Sequence, residues 1–197
     1  MNLIDEREKT SEEVSIPISA YLFNNIVIVF NYASSRFLYK NGFFGQPIGI
    51  KKPKSFDFNR PLQLNLFEAL YLYKKKGWIK IFDMYGSEID LDLYMKIAKS
   101  NYEFFEQEYL VYEHLRDKGY VVRSGLKFGA RFAVYEHGPG IDHAPFLIHV
   151  LPDKVSISAI DILRTGRLAT TVRKKFIIAV INESGKPEFY GFSWFKP

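Results

Sequence analysis

The chain's four histidines, His114, His137, His143 and His149, are its side chains best suited to moving a proton near neutral pH. His114 falls mid-helix between apolar positions, as a structural or simply exposed residue would. His149 lies within the apolar run APFLIHV, where a satisfied sheet residue is expected. His137 and His143 flank EHGPGIDH, a Gly- and Pro-rich loop, and loops held by rigid strands are where functional residues concentrate. Neither pair has the spacing of a helical metal site, no acidic cluster completes one, and no metal or other cofactor is expected. With no cysteines, thiol nucleophiles and Cys-containing zinc sites are excluded. No Gly-rich phosphate loop follows a strand, and no Gly-x-Ser-x-Gly elbow occurs. The remaining chemistry must run on His, Tyr, Lys and Arg.

That set suits cleavage of RNA through its own 2′-hydroxyl. The reaction needs a base for the 2′-OH proton, an acid for the leaving 5′-oxygen, and a cation to hold the charge that grows on phosphorus. Histidine can serve as the acid. A tyrosine can act as base when a nearby cation lowers its pKa, and Lys or Arg can stabilise the phosphorane. The nucleophile belongs to the substrate, so no metal is required.

Bulk properties agree with such a partner. The formal charge is +5, which favours an anionic ligand. Hydrophobic content of 47 % and charged content of 25 % are those of a folded globular protein. Aromatic residues make up 17 %, mostly as expected core, with a few available as stacking surfaces for bases. The N-terminus lacks an apolar signal segment and no run of about 18 apolar residues occurs, so no membrane association is expected and the location is read as cytoplasmic.

The elements that must position these groups fall in two sets. Residues 1–14 are charged and aperiodic, a frayed tail. Residues 15–100 form an N-terminal α/β domain. In it, one or two strands span Ile16 to Phe30 with a turn at Asn24-Asn25. A loop from Lys40 to Arg60 carries Lys51, Lys52 and Lys54. A helix capped by Asn65 ends at Gly77, a short strand runs from Trp78 to Phe82, and a second helix starts near Asp90. Residues 101–197 form a C-terminal domain, which opens with a helix from about Tyr102 to Lys118 that places Phe105, Tyr109, Tyr112 and Leu115 near one face. A hairpin breaks at Ser124-Gly125, a buried strand lies within His143 to Pro152, and a helix capped by Ser158 carries Ile160, Leu163 and Leu168. Two closing strands are joined by ESGKPE.

The runs KGYVVRSGLKFGARFAVYEHG, DHAPFLIHV and VRKKFIIAVIN, in that order, resemble the C-terminal catalytic domain of archaeal tRNA-splicing endonucleases. The resemblance extends upstream to LNLFEALYLYKKKGW and EYLVYEHLRDKGY, and so covers most of the chain from about residue 20. The expected fold is α+β: two small mixed α/β domains, the C-terminal one a mixed central sheet flanked by helices, of the restriction-endonuclease-like kind. By the family's pattern Tyr135 is the general base, His143 the general acid and Lys174 the transition-state cation, with Lys175 as the alternative lysine. Taken singly, Tyr135 reads as an edge-strand aromatic and either lysine as a helix-end cation; the order of all three in their motifs favours the catalytic reading. The implied products are a 2′,3′-cyclic phosphate and a 5′-hydroxyl.

The resemblance also implies a substrate, precursor tRNA cut at bulge-helix-bulge junctions. Arg167 matches a family arginine that clamps a flipped base by cation–π contact, with Phe189, Tyr190 or Trp194 as its second partner. The family assembles four units, in part through an acidic turn. Here that turn is NESGKPE, Asn182 to Glu188, where Lys186 intervenes between Glu183 and Glu188. The loop around Gly49 to Asp57 resembles an insertion found in members that pair a catalytic with a non-catalytic subunit. A heterotetramer with a sister subunit is therefore expected, otherwise a homo-oligomer, with Lys51, Lys52 and Lys54 as RNA contacts. Two other readings are a non-catalytic subunit of the same assembly, which has no need of all three of Tyr135, His143 and Lys174, and a general RNA-binding protein, which explains the charge but not the motif order.

Overall fold

Capping and turn residues set most of the element boundaries in this protein. The computed structural model describes residues 14–152, 155–171 and 173–192, apart from the side chains of Thr165, Leu168 and Ala169. The tail expected over residues 1–14, other than Val14, and Trp194 lie outside the described residues. The chain groups into two compact units, the first ending at Glu103 and the second beginning at Phe104.

In the first unit β1 (Ile18–Phe23) and β2 (Ile26–Val29) form a hairpin turned at Asn24, whose φ of 52° an Asn tolerates better than most residues. Helix α1 (Tyr32–Lys40) is not among the elements expected from the sequence. Its inward positions include Ser34 and Ser35, which interrupt any apolar stripe, and the Ser35 hydroxyl donates to carbonyls of Val29 and Asn31. The Asn31 side chain caps it by accepting from the Ser34 N–H. Strands β3 (Gln46–Pro47) and β4 (Leu62–Asn65) precede helix α2 (Leu66–Leu70), which continues as a π-helical turn over Tyr71–Lys76 and stops at Gly77 with φ 63°. Asn65 and Glu68 form a reciprocal capping box at the start of α2. Strand β5 (Ile79–Phe82) and helix α3 (Leu91–Asn101), capped by Asp90, complete the unit. The sheet order is β3-β4-β2-β1-β5, antiparallel except between β1 and β5.

The second unit begins with α4 (Phe105–Asp117), followed by β6 (Val121–Ser124), a 3₁₀ turn over Leu126–Phe128, β7 (Phe132–Tyr135) and β8 (Phe146–Leu151). Helix α5 (Ala159–Thr171) crosses over to β9 (Lys175–Ile181), which pairs with β10 (Pro187–Gly191). The sheet order is β10-β9-β8-β7-β6, with β8 and β9 parallel and the other pairs antiparallel. Alternation along the strands separates the faces. Phe132 meets the ring of Tyr112 on α4 at 5.9 Å, and Tyr112, 1 % exposed, is the kind of large buried ring that stabilises by about 1.5–3 kcal/mol. The opposite face buries Ala133, Leu147, Phe176 and Ile178 under Ile157 and Ile162.

The α+β class, the two mixed sheets and the helices on the second sheet agree with the sequence reading. The phase of α5 does not. Ile160 and Leu163 are 59 % and 46 % exposed, and among the described side chains of the helix Ile162 reaches the buried cluster. A crossover from β8 to β9 must lie over Leu147 and Phe176, and that fixes which side of the helix turns inward. No helix among the described residues is long and apolar enough to cross a membrane.

Candidate active site

The sheet register of the second unit determines where the expected reactive residues stand. Val134 on β7 is opposite Phe146 on β8, and Phe146 is opposite Lys175 on β9. The antiparallel pair and the parallel pair run out at the same end. Continuing that register one step past the last pairs sets Tyr135 level with Pro145 and Pro145 level with Lys174; the Lys175 N–H donates to the Pro145 carbonyl at 2.8 Å. His143 precedes Pro145 by two positions and is exposed. Tyr135 and Lys174 thus stand at the same end of the sheet, and His143 lies in the loop that leads into β8.

Strand parity then separates the two lysines. Tyr135 lies two residues from Ala133 and packs against the cluster under α5. Lys174 lies two residues from Phe176 of that same cluster. Its ammonium donates to the Ala144 carbonyl at 2.5 Å and sits 5.5 Å from the ring centroid of Phe128, which also packs there. The Lys175 ammonium instead lies 5.9 Å from the ring of Phe146, a residue of the opposite parity. Lys174, and not Lys175, therefore shares a face with Tyr135.

The segment joining Tyr135 to His143 is held by one carboxylate. Asp142 Oδ2 accepts the N–H groups of Glu136 at 3.0 Å and His137 at 3.1 Å, and Oδ1 accepts that of Gly138 at 2.8 Å. The N–H groups of Ile141 and Asp142 close the loop on the Gly138 carbonyl. The reversal passes through Gly138 at φ 132° and Gly140 at φ 87°, where a side chain would be strained.

Asp142 also enters the electrostatics of its neighbours. Partial burial pushes the Tyr135 phenol above its ordinary pKa; the Arg123 guanidinium pulls it back down, and the Asp142 charge raises it further. Arg123 pairs with Ala133 across β6 and β7, on the Tyr135 face. The cation that the chemistry calls for beside the tyrosine is therefore present, but burial outweighs it, so the phenol keeps its proton more tightly than a free tyrosine. Lys174 is lowered by partial burial and by the nearby Lys127 charge, with Asp142 acting in the opposite sense. The result is a half-buried phenol, a hydrogen-bonded ammonium and an exposed imidazole around one short loop.

The other expected site residues lie elsewhere. Arg167 is exposed on α5, and its carbonyl accepts the Thr171 hydroxyl at 2.9 Å. Phe189 turns to the α4 side, its ring 5.6 Å from that of His114, while Tyr190 on the next position is 51 % exposed. Lys51, Lys52 and Lys54 are exposed in the first unit, on a loop that Phe56 and Phe58 anchor against Tyr39. His149 is half-buried in β8, and burial lowers its pKa against the opposing charge of Asp161. Glu188 accepts from Asn182 and from the Tyr190 hydroxyl, so its carboxylate is engaged within its own hairpin.

Asp142, Arg123 and Lys127 are the site neighbours that sequence reasoning passes over. For Asp142 a signal exists, since an Asp closing a Gly- and Pro-rich loop commonly accepts nearby backbone N–H groups. Arg123 and Lys127 carry none, because only the β6–β7 register brings in the first and the 3₁₀ turn the second.

Comparison with known proteins matches residues 105–189 to the family described as tRNA intron endonuclease, catalytic C-terminal domain, and residues 18–95 to tRNA intron endonuclease, N-terminal domain. A tRNA-splicing endonuclease of Hyperthermus butylicus is 41 % identical over 181 residues, covering 91 % of this chain and 99 % of that protein. One from Sulfurisphaera tokodaii is 42 % identical over 177 residues, 89 % of this chain and 97 % of its own. One from Pyrobaculum aerophilum is 43 % identical over 178 residues, covering 88 % and 97 %.

Proposed function

Because the chain belongs to the tRNA intron endonuclease family, we propose that it excises introns from precursor tRNA by cutting at bulge-helix-bulge junctions without a metal ion. Its chemistry is assigned to a C-terminal domain over residues 101–197, following an N-terminal α/β domain over 15–100. Tyr135 takes the 2′-hydroxyl proton, and the 2′-oxygen bonds to phosphorus as the bond to the 5′-oxygen breaks. His143 gives its proton to that leaving oxygen. Lys174, with two ammonium protons beyond the one donated to Ala144, holds the charge on the phosphorane. The products are a 2′,3′-cyclic phosphate and a 5′-hydroxyl. The observation that carries this reading is that Tyr135 and Lys174 flank the same end of strands β7 to β9 on one face, with exposed His143 next to Ala144, whose carbonyl accepts from Lys174.

Arg167 and the lysines Lys51, Lys52 and Lys54 are assigned to RNA binding. The assembly is assigned as a heterotetramer with a non-catalytic sister subunit, in the cytoplasm. Exposed Ile160, Leu163, Tyr190 and Phe192 support burial against another subunit, and the internal engagement of Glu188 argues against self-assembly through that turn alone.

The test is cleavage of a bulge-helix-bulge RNA in EDTA by the protein, alone and co-purified with its partner. Cyclic-phosphate ends are expected, and His143→Ala should slow cleavage by about 10²–10⁴-fold with the melting temperature unchanged. Cleavage that requires a divalent metal, or that survives His143→Ala, would overturn the mechanism.

A further inference from the structure

The loop between Tyr135 and His143 is the shortest covalent path between the expected base and acid, and its conformation sets their separation. A loop of this length with Gly138, Pro139 and Gly140 has only a turn closed on the Gly138 carbonyl and an isolated bridge between Pro139 and Asp142 to hold its tip. The segment that leaves Tyr135 is tied in by Asp142, whose two oxygens accept three consecutive N–H groups, those of Glu136, His137 and Gly138. The first of these donors directly follows Tyr135, and the acceptor directly precedes His143. We propose that Asp142 is a positioning residue for the cleavage, tying the backbone that leaves Tyr135 to the backbone that enters His143. The inference rests on the roles proposed for Tyr135 and His143.

The carboxylate has a second consequence. Its charge acts on Tyr135, against Arg123 from β6, and on Lys174, against Lys127 from the 3₁₀ turn. The loop itself adds Glu136, His137 and His143 to the groups around it. Removing the Asp142 charge removes an influence that raises both Tyr135 and Lys174, so both should titrate at lower pH. A carboxylate that merely stiffened the loop would change neither.

The experiment compares Asp142→Asn, Asp142→Ala and Asp142→Glu in the full chain with its partner. Amide hydrogen exchange of Glu136, His137 and Gly138 reads the tether, and single-turnover kinetics against pH read the chemistry. In Asp142→Ala those three amides should lose protection, and kcat should fall about 10–100-fold with KM within about twofold, as for a misplaced acid and base. Asp142→Asn keeps one acceptor oxygen without the charge, so a smaller fall is expected, with the Tyr135 limb of the profile moved to lower pH. Asp142→Glu keeps the charge and should leave that limb near its original position.

Unchanged amide protection in Asp142→Ala would overturn the tether. A fall in kcat with no shift of the limb in Asp142→Asn would overturn the electrostatic part, and undiminished kcat in Asp142→Ala would overturn positioning. Tyr135→Phe and His143→Ala run beside them: if both cleave normally, the assigned roles fail, while the exchange result on Asp142 still stands.

Discussion

Carboxylates fasten loops by accepting backbone N–H groups in both units, and Glu68 in the first and Asp142 in the second do so in opposite surroundings. In the first unit Glu68, 3 % exposed, accepts the Gly45 N–H at 3.0 Å through one oxygen and the Asn65 N–H at 2.9 Å through the other. It joins the start of α2 to the chain that enters β3. Gly45 there has φ 71°, and an added Cβ would lie 2.7 Å from Leu62 Cγ, so the backbone is pressed against β4. In the second unit Asp142 performs the same service at a half-exposed loop with Tyr135, His143 and Lys174 around it. The bonding is alike; the surroundings differ. The buried acceptor serves stability, whereas the accessible one, beside the residues proposed to transfer protons, is assigned to geometry.

The contrast is broken most directly at Glu68. Truncation in Glu68→Ala leaves the Gly45 N–H buried without that acceptor and removes half of the capping box, for an expected loss of about 2–4 kcal/mol. Denaturant unfolding should show the lower midpoint with little change in slope, while cleavage per folded molecule stays that of the unmodified protein. If Glu68→Ala lowered kcat as much as Asp142→Ala at matched folded fraction, the division between the two carboxylates would collapse.

A smaller effect sharpens the electrostatic side of the comparison. Arg123 lowers the Tyr135 pKa, so Arg123→Ala should raise it. If the tyrosinate is the active form, the rate on the rising limb is proportional to its fraction. Raising the pKa therefore lowers the rate at every pH below it and leaves the rate above it unchanged. A loss of about three- to tenfold at neutral pH is expected, shrinking as pH rises, with Arg123→Lys recovering most of it. A loss that is the same at all pH values would assign Arg123 to substrate binding instead.

How much of this can be read from the chain depends on how local each signal is. The caps at Asn65 and Ser158, the helix start near Asp90 and the stop at Gly77 need only a few neighbouring residues, and all stand where the sequence puts them. Helix α1 is hidden because Ser34 and Ser35 share its inward side with Leu38 and Tyr39, and the polar pair, with the Ser35 hydroxyl bonded to the preceding backbone, interrupts the apolar period. In the sequence the choice between Lys174 and Lys175 rests on motif order alone; the parity that separates them is a property of β8 pairing with β9. For Tyr135 the chemistry anticipates the right kind of neighbour, a cation, but the wrong balance. Its burial arises from packing on Phe176 and its neighbours, which no spacing in the sequence encodes.

The gentlest perturbation concerns the first unit's loop of Lys51, Lys52 and Lys54. The loop is packed, not slack: Phe56 and Phe58 are buried, and Arg36 donates to the Phe58 carbonyl and the Asn59 side chain. The lysines themselves are exposed, so replacing all three with Ala leaves these anchors in place and should move the melting temperature by no more than about 1 °C. Any effect must then fall on RNA. For each lysine–phosphate pairing removed, the salt dependence of binding should flatten by up to about one unit in log–log slope. The largest effect is expected on relaxed bulges, where fewer other interactions hold the substrate. A slope unchanged from that of the unmodified protein, together with unchanged cleavage of every bulge, would remove these lysines from RNA binding. The loop would then be packed for the stability of its own unit, like Glu68 in that unit's core, and the chemistry would rest wholly on the second unit.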